Sequence, residues 1–191
     1  MPGTLKRLKD QVGSFDTFVD KAVAGSRGNR VADRVFYTAS ELGDFGLLWV
    51  MLAVVRALRG GPANERAALR AVAATGIEST FVNVFLKSVF GRRRPIERTD
   101  HPLPLRQPLS SSFPSGHATA AFCAATLLSE RDPLGPAYFA AATVVSASRV
   151  YVRIHHASDV VAGVAVGLAL GEAGRRLVPL RPRDARAWPR A

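Results

Sequence analysis

Three short groups of residues between positions 87 and 159 of this 191-residue chain combine side chains that could hold and attack a phosphoryl group. Each group contains a histidine or at least two cations, and each lies at the end of an apolar stretch. The groups are Lys87…Arg94-Pro95, Pro114-Ser115-Gly116-His117 and Ser148-Arg149…His155…Asp159.

In the first group, a compact ammonium and a planar guanidinium are held near one point. Lys87 lies near the end of an apolar block, and Pro95 stops a helix and biases Arg94 toward an extended backbone. Two such cations suit a phosphoryl group. The run Arg92-Arg93-Arg94 fits equally a solvated patch or a surface beside lipid headgroups, so this group alone does not decide.

The second group predicts a helix start that can bind an anion. Ser115 is expected to be the N-cap, and Gly116 lets a ligand approach the backbone closely. The free N–H groups and the positive dipole end of the helix favour negative charge, and His117 stands beside that position. A capped helix with an incidental histidine is the alternative.

The third group predicts a nucleophilic histidine. His155 and Asp159 are four residues apart, so we expect them to share a face at the start of a helix. The carboxylate can then accept the proton of one imidazole nitrogen and leave the other free to attack. Arg149 lies across the turn. His156 is predicted to point away as a bystander, and His101 to face solvent from a loop.

Five apolar blocks, each long enough for a helix, must position these groups. They cover residues 43–58, 68–90, 116–129, 134–153 and 157–178, with Gly-Pro, Pro-rich and Asp-Pro breakers between them. No block is a clean stretch of about 20 uncharged residues, so a soluble helical bundle stays open. If the blocks cross a membrane in turn, all three groups fall on one side.

Two stripes of small residues favour the membrane. Gly163, Gly167 and Gly171 lie four apart, a pattern that lets helices approach closely in lipid. Ala118 and its successors at 121 and 125 repeat the pattern in the third block. Each glycine would cost about 1 kcal/mol relative to alanine in a soluble helix.

The N-terminal segment 5–24 predicts an amphipathic helix. Its apolar residues recur every three or four positions between charged ones, which is typical of a helix in a membrane interface and also of a surface helix in a soluble domain. We divide the chain into an interfacial arm, 1–30, a membrane-embedded domain, 31–180, and a basic tail, 181–191. The stripe consists of Leu5, Leu8, Val12, Phe15, Val19 and Ala22.

Composition excludes several classes of protein. With 48% apolar and 21% charged residues the chain is not disordered. The lone Cys123 excludes an internal disulfide framework, and no apolar run follows the basic N-terminus, so a cleaved secretory signal is not expected. A net charge of +11 suits nucleic acid or an anionic membrane surface. The apolar blocks favour the membrane bilayer, and we expect no nucleic-acid partner.

The three groups, taken in order, resemble the signature of the type 2 phosphatidic acid phosphatase superfamily. They read Lys-x6-Arg-Pro, Pro-Ser-Gly-His and Ser-Arg-x5-His-x3-Asp over residues 87–159. The resemblance implies an all-α, integral-membrane helical bundle. Membrane members commonly show six spans, whereas this chain shows about five plus the N-terminal interfacial helix.

The resemblance also implies a role for each residue. His155 would attack phosphorus and form a phosphohistidine, with Asp159 orienting it. His117 would protonate the leaving oxygen and then activate water. No metal and no cofactor is expected, because three cations already offset the phosphoryl charge. The substrate-binding residues would be Lys87, Arg94, Ser115, Gly116 and Arg149.

The implied substrate is a lipid phosphate, either a monoester or a diphosphate. Phosphatidic acid, phosphatidylglycerophosphate and polyprenyl phosphates or diphosphates all fit, and the sequence does not choose among them. A vanadate-dependent haloperoxidase-like enzyme and a non-enzymatic basic membrane-binding protein are the rival interpretations. The oligomeric state stays open. Glu78, inside the second block, needs a partner in lipid, and a helix–helix hydrogen bond is expected.

The distribution of basic residues predicts the side of the membrane. In the five-span arrangement, 11 basic residues, among them Arg56 and Arg70, lie opposite the site, where we expect them beside anionic headgroups. Eight lie on the site side, and three of those are assigned to phosphate. The excess of 11 over the remaining five predicts an active site on the extracytoplasmic face of a bacterial-type cell membrane. The other seven, in the arm and its sequel up to Arg34, count against this, because five spans place the arm on the site side.

Overall fold

The structure, a computed structural model, describes residues 2–95, 105–106 and 110–180, and most of these residues lie in helices. The expectations for His101, for most of the loop 96–113 and for the tail 181–191 lie outside the described residues. A π-helical segment, Phe81–Leu86, joins α4 to α5 into one continuous helix. The helices are α1 (Pro2–Ala24), α2 (Arg30–Leu42), α3 (Leu47–Leu58), α4 (Pro62–Thr80), α5 (Lys87–Val89), α6 (Gly116–Ser129), α7 (Gly135–Tyr151) and α8 (Ala157–Leu177).

The helix boundaries follow local chemistry. The Asn29 side chain caps α2 by accepting hydrogen bonds from two backbone N–H groups of its first turn. Pro62 opens α4, where a missing N–H costs nothing. The five apolar blocks did not include α2, in which seven of the 13 residues are apolar and seven positions are exposed.

Helix α6 forms the centre of the bundle, and α4, α7 and α8 pack around it. The small-residue stripes bring α6 and α8 together. A Cβ added to Gly163 would lie 2.6 Å from the Ser115 carbonyl oxygen, and one added to Gly167 would lie 2.5 Å from that of Thr119. Ala118 is fully buried at the same contact. The predicted close approach of these helices is therefore confirmed.

Helices form in all five predicted blocks, but the five-span prediction is not confirmed. Within the described part of the chain, two helices are long and apolar enough to cross a membrane, Pro62–Val89 and Ala157–Leu177. Helix α3 has 12 residues and α6 has 14. At 1.5 Å per residue they span about 18 and 21 Å, less than the roughly 30 Å of a bilayer core.

The predicted N-terminal helix exists as α1, and its apolar stripe is exposed at Leu5, Leu8, Val12 and Phe15. The helix does not stand apart, because it packs on α7 and α8 and buries Asp16 against them. The position of α1 in a membrane interface remains a prediction.

Two arginines assigned to the headgroup surface are instead internal. Arg56 and Arg70 are 1% and 7% exposed. Arg56 donates to the carbonyls of Leu128 and Glu130, and Arg70 donates to that of Leu127, which are among the last carbonyls of α6. Cations at a helix C-terminus satisfy carbonyls that have no partner within the helix. Their role is to close the end of α6, and this corrects the expectation from charge counting.

Candidate active site

The third sequence group forms a histidine–carboxylate pair in the turn between α7 and α8. His155 Nδ1 lies 3.7 Å from Asp159 Oδ2, and both side chains are buried. The expected shared helical face is wrong in detail, because α8 begins only at Ala157 and His155 precedes it. Asp159, at the third position of α8, also accepts from the His156 backbone N–H at 2.9 Å.

The other imidazole nitrogen of His155 faces a cation. Its Nε2 lies 3.3 Å from Nη1 of Arg94, which also donates to the carbonyl of Ile154. Burial lowers the pKa of His155 to about 3, with Asp159 opposing the shift and Arg149 and Arg94 adding to it. His155 is therefore a neutral imidazole at physiological pH, as a nucleophile requires.

The second sequence group caps α6 and places a second histidine–carboxylate pair. Ser115 is the N-cap, as predicted, and its hydroxyl accepts from the Ala118 N–H at 3.5 Å. His117 Nε2 lies 3.0 Å from Oδ1 of Asp44, in the short 3-10 turn after α2. Sequence reasoning missed Asp44, because it lies 73 residues before His117 in a segment without a motif.

A backbone hydrogen bond holds the second and third groups together. The N–H of Ser115 donates to the carbonyl of Asp159 at 3.0 Å, so the starts of α6 and α8 lie side by side. Any shift of one helix start therefore moves the other. The glycine stripe of α8 makes this approach possible.

The three predicted cations differ in how their donors are used. Arg149 is fully buried; its Nη1 donates to the Ser40 hydroxyl, while Nε and Nη2 have no hydrogen-bond partner among the residues described. Lys87 Nζ donates to Ser110 Oγ at 3.4 Å. Arg94 reaches the Ser110 carbonyl at 3.1 Å. Burial lowers the pKa of Arg94 to about 10, with Asp159 opposing, so it stays cationic at pH 7.

The cations share one electrostatic environment with both histidines. The positive charge of Arg149 disfavours protonation of both His117 and His155. The positive charges of Arg94 and Arg149 repel that of Lys87. The structure therefore brings the predicted residues of all three groups to one end of the bundle.

Arg92 makes a contact that the sequence did not indicate. One of its Nη atoms donates to Asp159 Oδ1 at 2.6 Å and the other to Asp16 Oδ2 at 2.6 Å. Asp16 also accepts from the Ser158 N–H at 2.8 Å. Arg92 is therefore not a headgroup residue, since it ties α1 to the carboxylate that faces His155.

His156 has a structural role in place of the predicted bystander role. It is the N-cap of α8, and its backbone N–H donates to Asp159 Oδ2. Its Nε2 lies 3.3 Å from the carbonyl of Arg93. These contacts hold the turn that presents His155.

Two cavities open at this end of the bundle. One, of about 640 Å³, is bordered by His117, Gly116, Lys87 and Glu78. The other, of about 340 Å³, is bordered by His155. The two histidines thus face different spaces, and a group between them could react with both.

The arrangement of the site and the sequence of residues 67–183 both indicate the kind of protein to which this chain belongs. A bundle of helices with two histidine–carboxylate pairs and several buried cations at one end is suited to phosphoryl transfer. The sequence model of the PAP2 superfamily matches residues 67–183. This chain belongs to the PAP2 superfamily, which confirms the resemblance seen in its three motifs.

Characterised relatives act on lipid phosphates. Decaprenylphosphoryl-5-phosphoribose phosphatase of Mycobacterium tuberculosis is 32% identical over 69% of this chain and 72% of its own length. The Mycolicibacterium smegmatis protein of the same name is 35% identical over 76% and 77%. Lipid A 1-phosphatase of Porphyromonas gingivalis is 39% identical over 39% of this chain and 18% of its own length. The prediction of a lipid phosphatase is thereby confirmed.

Solved structures share the fold. A transmembrane PAP2-type phosphatidylglycerolphosphate phosphatase from Bacillus subtilis superposes with a TM-score of 0.68 at 24% identity, covering 87% of this chain and 86% of its own. LpxE of Aquifex aeolicus gives 0.66 at 24% identity, covering 84% and 94%. At this identity the likeness concerns the architecture, and it supports the all-helical part of the fold prediction.

Proposed function

We propose that this protein is a membrane-embedded phosphatase that hydrolyses a phosphate monoester of a lipid through a phosphohistidine on His155. One observation carries the proposal. Neutral His155 lies beside Arg94, and the positive charge of Arg149 also acts on it. Arg149 Nε and Nη2 have no hydrogen-bond partner in the described structure. Buried donors without partners are costly, so a ligand with several acceptor oxygens is the natural occupant.

The first step forms a nitrogen–phosphorus bond. The lone pair of His155 Nε2 attacks phosphorus, and the ester bond from phosphorus to the leaving oxygen breaks. His117 gives its proton to that oxygen, so the lipid alcohol leaves neutral. Asp159 stabilises the positive charge that develops on the His155 ring. The separation of 3.7 Å between Nδ1 and Oδ2 must shorten for this, as is common in a substrate complex.

The second step returns the enzyme to its starting state. His117, now neutral, takes a proton from water as the water oxygen attacks phosphorus. The nitrogen–phosphorus bond breaks, its electron pair returns to His155, and inorganic phosphate leaves. Lys87, Arg94 and Arg149, with the Ser115 hydroxyl and the Gly116 N–H, hold the phosphoryl oxygens in both transition states.

The substrate class follows from the relatives together with the site. Both mycobacterial relatives remove phosphate from a polyprenyl-linked phosphoribose, as their names state. We therefore place a phosphosugar attached to a polyprenyl carrier first among the candidates, ahead of phosphatidylglycerophosphate and phosphatidic acid. The shared feature is a terminal monoester at headgroup depth.

The test is phosphate release from a panel of lipid phosphates by the purified full-length protein in detergent, with a chelator present. We expect turnover of at least one polyprenyl or glycerolipid monoester. His155→Ala should abolish it, and acid-labile, base-stable labelling from a ³²P-substrate should disappear with it. Unchanged turnover by His155→Ala would refute the mechanism.

We also propose that the bundle lies in a bacterial-type cell membrane with the site facing outward. The count that favours this orientation compares 11 basic residues at the opposite end with five at the site end that are not assigned to phosphate, and it leaves out the seven of residues 6–34, which lie on the site side. Single-cysteine variants in a Cys123→Ala background test it, since Arg93 is exposed at the site end and Arg131 at the other. Arg93→Cys should react with an impermeant maleimide on intact cells, and Arg131→Cys only after lysis. The reverse pattern would overturn the orientation.

A further inference from the structure

Glu78 is a buried carboxylate that the proposed mechanism does not use. The residue is 2% exposed, in α4. Neither Oε1 nor Oε2 has a hydrogen-bond partner among the residues that the structure describes, so the expected helix–helix hydrogen bond is not made. Burial disfavours its charged form, and the nearby charge of Lys87 offsets this only in part. Burial of a carboxylate without hydrogen-bond donors is costly, so this position calls for an occupant that supplies them.

The carboxylate borders a space large enough for such an occupant. The cavity of about 640 Å³ brings Glu78 together with Lys87, Gly116 and His117. The rest of its wall combines apolar side chains, including Val50 and Val72, with threonine and serine hydroxyls and one further cation. A ligand here would meet a polar end beside His117 and an apolar flank.

The mechanism fixes which part of the substrate this space receives. His117 protonates the leaving oxygen, so the leaving group lies on the side of His117 that faces away from His155. The 640 Å³ cavity is bordered by His117, whereas the 340 Å³ cavity is bordered by His155. The first cavity is therefore the place of the leaving group, the part of the lipid that remains after phosphate departs.

The charges in this cavity select the chemistry of the leaving group next to Glu78. An ammonium group would be repelled by Lys87 and by Arg106, which also lines the space. An anionic group has no hydrogen to donate to the two Glu78 oxygens, which have no hydrogen-bond partner among the residues described. Neutral hydroxyl groups can donate to the carboxylate without either penalty.

We propose that Glu78 accepts hydrogen bonds from hydroxyl groups of the leaving group, and that the protein prefers lipids whose phosphate is carried on a sugar or another polyol. This inference rests on the proposed function and narrows its substrate class. Plain polyprenyl phosphates and phosphatidic acid, whose leaving groups carry no further hydroxyl, would leave the carboxylate without donors.

The test compares two matched substrates in detergent micelles. One is decaprenylphosphoryl-5-phosphoribose, and the other is its analogue without the free ribose hydroxyls. For Glu78→Ala we expect kcat/KM on the hydroxylated substrate to fall about 10-fold, mainly through KM, since a buried hydrogen bond is lost. The analogue should be turned over by variant and wild type at rates within about threefold.

Two further variants keep the result interpretable. Glu78→Gln retains an acceptor oxygen and should fall between wild type and Glu78→Ala on the hydroxylated substrate. Glu65→Gln, exposed near the start of α4, should behave as wild type on both substrates.

Three outcomes would overturn the inference. Equal losses on both substrates would mean that Glu78 is only a counter-ion for Lys87. No loss on either would mean that it does not contact the leaving group. A wild-type protein that releases phosphate from no lipid would refute the proposed function itself, a result distinct from turnover without discrimination.

Discussion

The carboxylate of Asp44 lies 3.0 Å from Nε2 of His117, so the proposed general acid has its own carboxylate partner. Asp44 comes from the turn after α2, and its neighbour Gly43 packs directly on the His117 ring, where an added Cβ would lie 2.8 Å from Cδ2. The ring is thus fixed from two sides by one short segment. This pairing parallels that of His155 with Asp159.

Replacement of Asp44 should slow turnover without abolishing it. In Asp44→Asn the imidazole of His117 loses the carboxylate that favours its protonated form and fixes its orientation. We expect kcat to fall about 10- to 100-fold, part of the 10²–10⁴ that general acid–base catalysis supplies. Steady-state phosphate release in detergent measures it.

A matched control and a rescue accompany that measurement. Glu41→Gln removes an exposed carboxylate three residues earlier and should leave kcat unchanged. Asp44→Glu should recover part of the lost activity. If Asp44→Asn turns over at the wild-type rate, the pairing has no role in proton transfer.

Arg92 should act as a positioning residue for Asp159. Arg92→Ala removes the 2.6 Å bonds to Asp159 and Asp16, while Asp16 keeps its bond to the Ser158 N–H. We expect about a 100-fold loss in kcat/KM, the size that a displacement of about 1 Å in a reacting group produces. Arg93→Ala, at the exposed neighbouring position, is the control.

A milder variant and thermal melting separate a positioning role of Arg92 from a role in folding. Asp16→Asn keeps the Arg92–Asp159 bond and should cost less than Arg92→Ala, while both variants should melt within a few degrees of wild type. Equal activity of Arg92→Ala and Arg93→Ala would argue against the positioning role.

The motifs predicted the local parts of the site well. Ser115 as the cap of α6 and the close approach of α6 and α8 at Gly163 both follow from residue types at fixed spacing, which local geometry determines. Asp44 and Arg92 could not be found this way, because their partners lie 73 and 67 residues away and only the packing of α2 and α8 creates the contacts. The same limit affected charge counting, since Arg56 and Arg70 look solvated in sequence but close the end of α6.

The pH dependence of kcat/KM should show that His155 stays unprotonated and reactive at acidic pH. Because its pKa is lowered to about 3, His155 gains a proton only well below pH 5, whereas an unperturbed imidazole would be about 3% neutral at that pH. Burial and the charge of Arg149 also lower the pKa of His117 to about 4, with Asp44 opposing, so its acid form is scarce in the free enzyme at neutral pH. We expect kcat/KM, corrected for ionisation of the substrate phosphate, to rise as the pH falls from about 7 to about 4 and to decline steadily above that.

Stopped assays with a soluble monoester and the lipid substrate in the same detergent give this profile. An acid limb near pH 6.5 would place the nucleophile in an ordinary environment. A rate that still rises past about pH 9 would contradict the role of His117 as the acid.

Gly163 links helix packing directly to the anion-binding end of α6. In Gly163→Ala the new methyl carbon would lie 2.6 Å from the Ser115 carbonyl oxygen, a backbone atom that cannot move without displacing the helix start. That start carries Gly116 and His117, so we expect kcat to fall about 100-fold together with a loss of stability of about 1–3 kcal/mol. Gly174→Ala is the matched control on the same helix. Its methyl would meet only the tip of the Leu127 side chain, at 3.0 Å, and it should retain nearly full activity. Thermal melts and phosphate release on both variants decide the matter, and equal activity of the two would show that the contact of α8 with Ser115 does not position the site.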